Sequence, residues 1–249
     1  MNRIISLINL KGGVGKTTTA FEMGYLLSTR YKSRVLLVDN DKQGNLSRAL
    51  GVYQEDTYCG TAKLMDGQKV VPQQTRVEHC DIISANMSLL TATYKNKGQA
   101  KGYLQLGGIA DGEGRPYDFI IIDNPPDLGF NVLNALFVTH DVIVPTKIDL
   151  WALEGLDIIR DQVQDIRRKN HDIRPPKALV TMYRSSPANT AGMEWLRDNG
   201  YETFDTVIRY SDKAVENTFC GQALQEYSPR SAAALSYRRL IKEYWESVR

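Results

Sequence analysis

The stretch that decides the fold reads Asn9-Leu10-Lys11-Gly12-Gly13-Val14-Gly15-Lys16-Thr17-Thr18. It follows a short apolar run at residues 4–8 and opens a segment with the apolar spacing of a helix. Three glycines in four residues permit unusual backbone conformations and let amide N–H groups approach a ligand closely. Those amides, together with the positive end of the following helix, form a site for polyphosphate. The sequence therefore predicts a phosphate-binding loop between a strand and a helix.

Two side chains of this loop are suited to phosphate chemistry. Lys16 can neutralise the oxygens of the β- and γ-phosphates, and the hydroxyl of Thr17 can be a ligand of Mg²⁺. The usual pattern G-x-x-x-x-G-K-[ST] is not matched, because Leu10 stands at the position of the first glycine and Lys11 follows it. The alternative is a plain glycine-rich turn, which the preceding strand and following helix disfavour.

This lysine-first loop resembles the deviant Walker A motif of the ParA/MinD family of P-loop ATPases, closest to its short ParA/Soj-type members. The resemblance implies ATP and Mg²⁺ as cofactors. The residues expected to bind the nucleotide are Lys11, Gly12, Gly13, Val14, Gly15, Lys16, Thr17 and Thr18. The resemblance also implies that Lys16 acts on the ATP bound to its own chain. Lys11 is then expected to reach the ATP of a partner chain across a nucleotide-sandwiched dimer, so that both lysines are catalytic.

Two carboxylates follow the apolar run at residues 35–38, in the sequence Asp39-Asn40-Asp41-Lys42-Gln43-Gly44-Asn45. Ligands of open α/β sheets bind at the carboxyl ends of strands, so these acids are expected to face the loop. The family's segment reads D-x-D-P-Q-G-N, which implies that Asp41 orients the attacking water and Asp39 supports Mg²⁺. Lys42 replaces the usual proline, a difference that bears on the hydrolysis rate. A helix cap at Asp41 or Asn45 is the alternative.

A further acidic strand end, Phe119-Ile120-Ile121-Ile122-Asp123-Asn124-Pro125-Pro126, has the Walker B pattern. Asp123 is expected to reach the metal through its water shell, and the two prolines stiffen the exit from the strand. The family usually reads D-x-P-P-S-L-G here, and Asp127 stands where serine is common. The predicted metal residues are therefore Thr17, Asp39 and Asp123.

Short apolar runs alternate with longer segments of helical spacing along the whole chain. The runs at residues 4–8, 35–38, 82–83, 119–122, 142–144 and 178–180 predict buried strands. Residues 16–28 and 152–169 predict helices, the latter with one apolar face formed by Leu153, Leu156, Ile159, Val163 and Ile166. This alternation predicts an α/β fold with a mostly parallel twisted sheet and helices on both faces, a P-loop NTPase of the deviant Walker A type. Residues 1–249 are expected to form one domain, and the irregular region at 51–114 predicts a long surface connection around its glycines.

The composition excludes several classes of protein. The 249 residues contain 31 Lys and Arg against 29 Asp and Glu, a net charge of +2 that excludes a uniformly basic nucleic-acid binder but allows a local patch. No apolar run approaches the roughly 18 residues of a membrane span, and the first residues are too short and polar for a signal peptide. The three cysteines, Cys59, Cys80 and Cys220, have no spacing typical of a disulfide framework, zinc site or iron–sulfur cluster.

The second half of the chain matches the family in weaker segments. Residues 144–146 and 152–155 resemble its V-P-x-x-x-x-x-x-A-L-E-G pattern. Adenine is expected near residues 181–182 and 208–209, with Arg209 in place of a common proline. Basic residues in the last third could contact DNA phosphates: Arg184, Arg209, Lys213, Arg230, Arg238, Arg239 and Lys242. By alignment with the family, Lys213 and Arg230 are the best candidates for DNA binding, although solvated surface charge is the alternative for each.

The C-terminal segment at residues 232–249 is amphipathic. Its apolar residues are Leu235, Leu240, Ile241, Tyr244 and Val248. A membrane-targeting helix, as in MinD, is one interpretation. Glu243 and Glu246 interrupt the basic face, so packing against the sheet is favoured and membrane binding is not expected. Because no substantial segment precedes the first strand, the chain is expected to be of the short ParA form.

The sequence thus predicts a ParA-type partition ATPase, cytoplasmic and nucleoid-associated. Its expected partners are a second copy of itself, non-specific DNA and a ParB-like centromere-binding protein, and the expected process is segregation of a plasmid, chromosome or mobile element. One alternative is a MinD-like membrane-associated positioning ATPase, which a liposome flotation assay distinguishes. A second alternative is a cluster-carrying ATPase of the nitrogenase iron-protein kind, but this sequence lacks the paired cysteines that such a protein requires. A third is an adaptor that binds nucleotide without hydrolysing it.

Overall fold

One mixed sheet organises the chain. The computed structural model describes residues 2–96 and 102–248, with the backbone alone described at residues 150–154. Within these residues the strands are β1 (Arg3–Leu7), β2 (Val35–Asp39), β3 (Gln73–Gln74), β4 (Cys80–Ile83), β5 (Phe119–Asp123), β6 (Asp141–Lys147), β7 (Lys177–Thr181) and β8 (Glu202–Thr203). Their order is β3-β4-β2-β5-β1-β6-β7-β8, and each neighbouring pair is parallel except β3 with β4. The predicted mostly parallel sheet is confirmed.

All six predicted strands are present, as β1, β2, β4, β5, β6 and β7. The sequence did not predict β3 and β8, because each contains only two residues and no apolar run. In the described residues the helices are α1 (Lys16–Tyr31), α2 (Asn45–Ala49), α3 (Gly60–Met65), α4 (Ser88–Lys95), α5 (Phe130–Leu136), α6 (Leu150–Arg167), α7 (Pro187–Asp198), α8 (Lys213–Cys220), α9 (Leu224–Tyr227) and α10 (Ala232–Ser247). A 3-10 helix covers Tyr103–Gly108.

Helices cover both faces of the sheet. Successive residues of a strand point to opposite faces, so neighbouring residues of one strand lie in different cores. Leu37 of β2 packs in a core with α1 and α10, whereas its neighbours Leu36 and Val38 pack in a core with α3, α4 and the 3-10 helix. All three side chains are fully buried. Burial of each stabilises the fold by roughly 1.5–3 kcal/mol. The strand's uninterrupted apolar sequence reflects this burial on both sides.

The apolar face predicted for α6 packs on the half of the sheet that contains β6 and β7. Leu156, Ile159, Val163 and Ile166 are buried in a core shared with Val144. Leu153, the fifth member of the predicted face, lies outside the described side chains. The helix begins at Leu150 and ends at Arg167, two residues earlier at each end than the sequence predicts.

The prediction of a long surface connection within residues 51–114 is wrong for most of that region. α3, β4, α4 and the 3-10 helix all lie there, and Tyr103 and Leu106 are completely buried in the core on that face. The segments at residues 51–58 and 111–116 are largely exposed turns, and residues 97–101 lie outside the described residues. The apolar side chains of this region stand in short groups such as Leu64-Met65 and Ile82-Ile83, and polar and glycine-rich stretches separate these groups. They therefore give no sustained helical period that predicts burial.

The C-terminal helix α10 packs against α1, and its Tyr244 shares a core with Phe119 of β5, so the predicted packing on the sheet is confirmed. Leu240, Ile241 and Tyr244 are buried, and the Tyr237 hydroxyl lies 3.0 Å from the Thr19 hydroxyl of α1. The prediction for Leu235 is wrong, since 42% of this residue is exposed and Tyr237 takes its place in the buried face. Arg249 lies outside the described residues. None of the described helices has the length and apolar composition needed to cross a membrane.

Candidate functional site

The phosphate-binding loop connects β1 to α1 and has a backbone that glycine favours. Gly13 and Gly15 have φ angles of 72° and 89°, in the left-handed region where a side chain is strained. A Cβ atom at either position would meet no other atom within 4 Å, so there is room for a ligand against the loop. No side chain caps the N-terminus of α1, which leaves its first amide groups available to an anion.

Lys16 is folded back into this loop. Its Nζ donates hydrogen bonds to the carbonyl oxygens of Asn9 and Lys11, both at 3.0 Å. Burial lowers the pKa of Lys16, and nearby carboxylates oppose that effect. The ammonium group is therefore held at the base of the loop by backbone acceptors, which phosphate oxygens can replace.

Asn9 is a structural element of the site that sequence reasoning missed. It is 1% exposed; its Nδ2 donates to the Pro145 carbonyl oxygen at 2.8 Å, and its Oδ1 accepts from the Lys11 amide at 2.9 Å. These bonds attach the start of the loop to β6. The sequence carries a weak signal for this role, an amide residue directly after a buried strand.

Lys11, the lysine that opens the loop, forms an ion pair with Asp149 in the connection between β6 and α6. Both side chains are partly exposed, at 36% and 29%. The cation expected to act on a partner's ATP is therefore balanced by a carboxylate of its own chain.

Asp123 presents an unpartnered carboxylate beside the loop. In the register of β2 and β5 it lies opposite Asp39, and it is 1% exposed. Neither of its oxygens has a hydrogen-bond partner among the described residues. Burial and the charge of Asp39 raise the pKa of Asp123 well above its usual range, while the nearby Thr17 hydroxyl, which does not reach hydrogen-bond geometry, and the charge of Lys16 lower it. A buried charge without partners is costly, so this position calls for a bound cation.

Asp39, by contrast, already accepts hydrogen bonds from its own chain. Its Oδ2 accepts hydrogen bonds from the amide and hydroxyl of Ser47 at 2.8 and 2.7 Å, and its Oδ1 accepts from the Asp41 amide at 3.2 Å. Burial raises the pKa of Asp39 to about 6, against these hydrogen bonds. Asp39 therefore holds the loop that follows β2 and adds negative charge behind Asp123.

The donor set at this edge fits Mg²⁺. Oxygen ligands from one carboxylate and one hydroxyl, Asp123 and Thr17, leave the remaining positions to water and substrate phosphates, the usual mode of Mg²⁺ binding. The described residues contain no cluster of three or more His, Cys, Asp or Glu that would hold a metal by protein ligands alone.

Asp41 lies at the same cavity but does not cap a helix. α2 begins at Asn45 after Gly44, and no side chain caps it, so the capping alternative is wrong for both Asp41 and Asn45. The Oδ1 atom of Asp41 accepts a hydrogen bond from the Gln43 amide at 2.9 Å. Its Oδ2 atom has no hydrogen bond to a described residue, and Asp41 lines the cavity.

A cavity of about 570 Å³ joins these elements. The loop, Asp41 and Asp127 line it together with the residues expected near adenine. Those residues are Thr181, Met182, Ile208 and Arg209. Val215 and Thr218 of α8 and Tyr237 of α10 also line it, and sequence reasoning missed all three. These two helices follow the recognisable motifs, so only their packing reveals the contribution.

The two candidate DNA-binding residues lie in different environments. Lys213 at the start of α8 forms an ion pair with Glu216, with 2.6 Å between Nζ and Oε2. Arg230, before α10, is exposed and makes no ion pair with a described residue. Of the two cations, Arg230 is therefore the more available to phosphate.

Comparisons with known proteins agree with this architecture. Residues 2–174 match the model of a family described as AAA domain. The chain is 34% identical to the sporulation initiation inhibitor protein Soj of Bacillus subtilis, covering 98% of both chains. It is also 34% identical to the chromosome-partitioning ATPase Soj of Thermus thermophilus, covering 99% of this chain and 96% of Soj. This chain is also similar to a solved structure, that of cobyrinic acid a,c-diamide synthase from Mycobacterium smegmatis bound to an ATP analogue and magnesium. The two structures superpose with a TM-score of 0.80 at 27% sequence identity, over 100% of this chain and 98% of the other.

Proposed function

The chain belongs to the Soj/ParA family of P-loop ATPases, and we propose that it is a partition ATPase that dimerises on ATP and then binds DNA non-specifically. Hydrolysis of ATP, stimulated by a ParB-like centromere-binding protein, then releases the DNA. The cofactors are ATP and Mg²⁺, as in the similar magnesium-bound structure. The cycle would segregate a plasmid, chromosome or mobile element.

The observation that carries this proposal is the buried, unpartnered carboxylate of Asp123 beside an open phosphate-binding loop. Thr17 and Asp123 would hold Mg²⁺, with Asp39 behind them. When bound, the ion neutralises charge on the phosphate oxygens.

The chain's own residues supply the rest of the chemistry. Attack of water on a γ-phosphate needs positioning and charge neutralisation more than covalent catalysis. The loop amides hold the phosphates, and Lys16 exchanges its two backbone acceptors for phosphate oxygens. Asp41, which lines the cavity and keeps its Oδ2 atom free of hydrogen bonds to described residues, orients the water.

Dimerisation is proposed from the position of Lys11. This partly exposed lysine is paired with Asp149 and not with the nucleotide cavity of its own chain. The polyphosphate of a partner's ATP is a stronger anion than one carboxylate, so Lys11 would exchange Asp149 for it. ATP would thereby join two copies of the chain.

DNA binding is proposed through exposed cations such as Arg230. The net charge of +2 makes the single chain a weak ligand of DNA. A dimer formed on ATP would place two copies of each cation on one surface. ATP binding would therefore control the affinity of the protein for DNA. Lys213 contributes to this surface only if it leaves Glu216.

An ATPase assay of the full chain with and without non-specific duplex DNA tests the enzyme. Wild-type protein should hydrolyse ATP, and Asp41→Ala should bind ATP, lose hydrolysis and remain on DNA. Asp198→Ala, which removes an exposed carboxylate on α7, is the matched control and should behave as wild type. Wild-type turnover by Asp41→Ala would contradict the assigned role of Asp41.

DNA affinity measured against salt concentration tests the binding surface. Arg230→Ala should lower the slope of log affinity against log salt by about 2, because each dimer loses two phosphate contacts. Arg197→Ala, an exposed arginine of α7, should leave the slope unchanged. ATP-dependent flotation with liposomes, without DNA binding, would support the MinD-like alternative instead.

A further inference from the structure

We propose that Lys42 distinguishes nucleoside triphosphate from diphosphate in this site by exchanging its counter-ion Asp127 for the terminal phosphate. The proposal concerns the nucleotide cavity alone and does not depend on DNA binding or on a partner protein.

Lys42 and Asp127 face each other across two loops at the mouth of the cavity. Lys42 is in the loop after β2 and Asp127 in the loop after β5, and 3.9 Å separate Nζ from Oδ2. This distance exceeds that of a hydrogen bond, so the attraction is purely coulombic. Both side chains are also partly exposed, at 33% and 47%. Such a pair is weak and is readily exchanged for a stronger anion.

The backbone on each side of the pair is held while the Lys42 side chain can move. The Asp127 Oδ1 atom accepts a hydrogen bond from the Gly129 amide at 2.8 Å, which directs Oδ2 towards Lys42. In the other loop, the Gly44 amide donates to the Asp41 carbonyl oxygen at 2.9 Å and closes the turn around Lys42. The Asp127 carboxylate is therefore held in place, and the Lys42 ammonium group lies beside it before nucleotide binds.

Both members of the pair lie where a terminal phosphate would be sensed. They line the 570 Å³ cavity together with Gly12, Gly13 and Lys16. Burial lowers the pKa of Lys16, and the charges of Asp123, Asp41 and Asp127 oppose that effect, so Asp41 and Asp127 act electrostatically at the lysine that would contact the phosphates. They would equally repel a terminal phosphate placed there.

Lys42 is the cation positioned to remove that repulsion. Once it turns from Asp127 to the phosphate, it gains charge-assisted hydrogen bonds that the carboxylate at 3.9 Å does not provide. A diphosphate ends one phosphate earlier and gains less from this move. Lys42 would therefore favour the triphosphate selectively.

The two residues also stand where this chain departs from the pattern of its family. Lys42 replaces the usual proline of D-x-D-P-Q-G-N, and Asp127 replaces the usual serine of D-x-P-P-S-L-G. Each departure adds one charge, and the two charges have opposite signs and meet across the cavity. The two substituted residues therefore form an ion pair with each other, which proline and serine could not form.

Calorimetric titration with the non-hydrolysable ATP analogue AMPPNP and with ADP, both with Mg²⁺, tests the proposal. Lys42→Met should weaken AMPPNP binding about tenfold and ADP binding less than twofold. Lys42→Arg should retain most of the preference, and Asp127→Asn should strengthen AMPPNP binding. Lys63→Met, an exposed lysine on α3, makes the same change in net charge away from the cavity and should match wild type.

Two results would overturn the proposal. One is an equal loss of affinity for AMPPNP and ADP in Lys42→Met, which would indicate a merely structural ion pair. The other is an unchanged affinity for both nucleotides in that variant. Denaturant unfolding of each variant should give wild-type stability, because an exposed loop pair contributes little to the fold.

Discussion

Substitution of Glu22 by glutamine should stabilise the protein in a way that depends on pH. Glu22 lies in the middle of α1 and is completely buried against α9 and α10. Its carboxylate accepts hydrogen bonds from the Leu224 amide at 2.5 Å and from Gln225 Nε2 at 3.2 Å. Among the described residues no cation forms an ion pair with it: the charge of Arg238 lowers its pKa only as a minor influence, and the charge of Glu226 raises it.

Burial dominates and raises the pKa of Glu22 from 4.5 to about 7. The folded protein therefore binds this proton more tightly than the unfolded chain. Below about pH 4.5 both states are protonated and the carboxyl group carries no ionisation cost. As the pH rises to 7, stability is progressively lost, and above pH 7 the full cost of about 3 kcal/mol applies. The direction is the reverse of ordinary acid denaturation.

Glutamine retains an acceptor for the Leu224 amide and carries no charge. Glu22→Gln should therefore gain stability relative to wild type as the pH rises from 5 to 8, by about 2–3 kcal/mol across that range. The absolute gain at pH 8 is smaller, about 1–2 kcal/mol, because the new amide nitrogen faces the donor group of Gln225. Urea unfolding followed by circular dichroism at pH 5, 6, 7 and 8 measures both quantities.

Glu194→Gln provides the matched control, since Glu194 is an exposed glutamate in the middle of another helix, α7. Its difference from wild type should stay within about 0.5 kcal/mol at every pH. A stability difference for Glu22→Gln that stays constant from pH 5 to 8, or that falls as the pH rises, would refute the reasoning. Equal m-values are required for the comparison, so that the change is one of stability and not of the denatured state.

Three further predictions concern the site and the core. Lys16→Ala should weaken nucleotide binding at least about tenfold in calorimetry, through loss of a charge-assisted contact; binding equal to wild type would contradict the assignment of the loop. Asp123→Asn should reduce the Mg²⁺ dependence of ATP binding by removing the unpartnered carboxylate, and titration of Mg²⁺ at fixed ATP should reveal it; an unchanged titration would place the ion elsewhere. Gly102→Ala should lower the free energy of unfolding by roughly 1–3 kcal/mol or more, because a Cβ atom there would lie 1.7 Å from the Leu64 carbonyl oxygen. A urea midpoint for Gly102→Ala equal to that of wild type would contradict this prediction, because it would mean that the backbone moves without cost to remove the clash.

The sequence alone predicted the parts of the site whose chemistry is local. The loop from Lys11 to Thr17 is encoded by its glycines and by the strand and helix on either side. Asp39 and Asp123 follow apolar runs, and the carboxyl ends of parallel strands meet at one edge of a sheet. The predicted strands and the apolar face of α6 were recovered for the same reason, because periodicity and backbone preference act over a few residues.

The tertiary structure decided which of these groups remain available to a ligand. Ser47 satisfies Asp39 but nothing among the described residues satisfies Asp123, a difference that two similar strand-end aspartates do not reveal in sequence. Likewise the pairing of Lys42 with Asp127 arises because β2 and β5 are neighbours in the sheet, which brings together loops far apart in the chain. Local sequence determines the conformation of each loop, whereas strand order determines its neighbours. Charge balance and cavity shape depend on those neighbours, and so they emerge only with the fold.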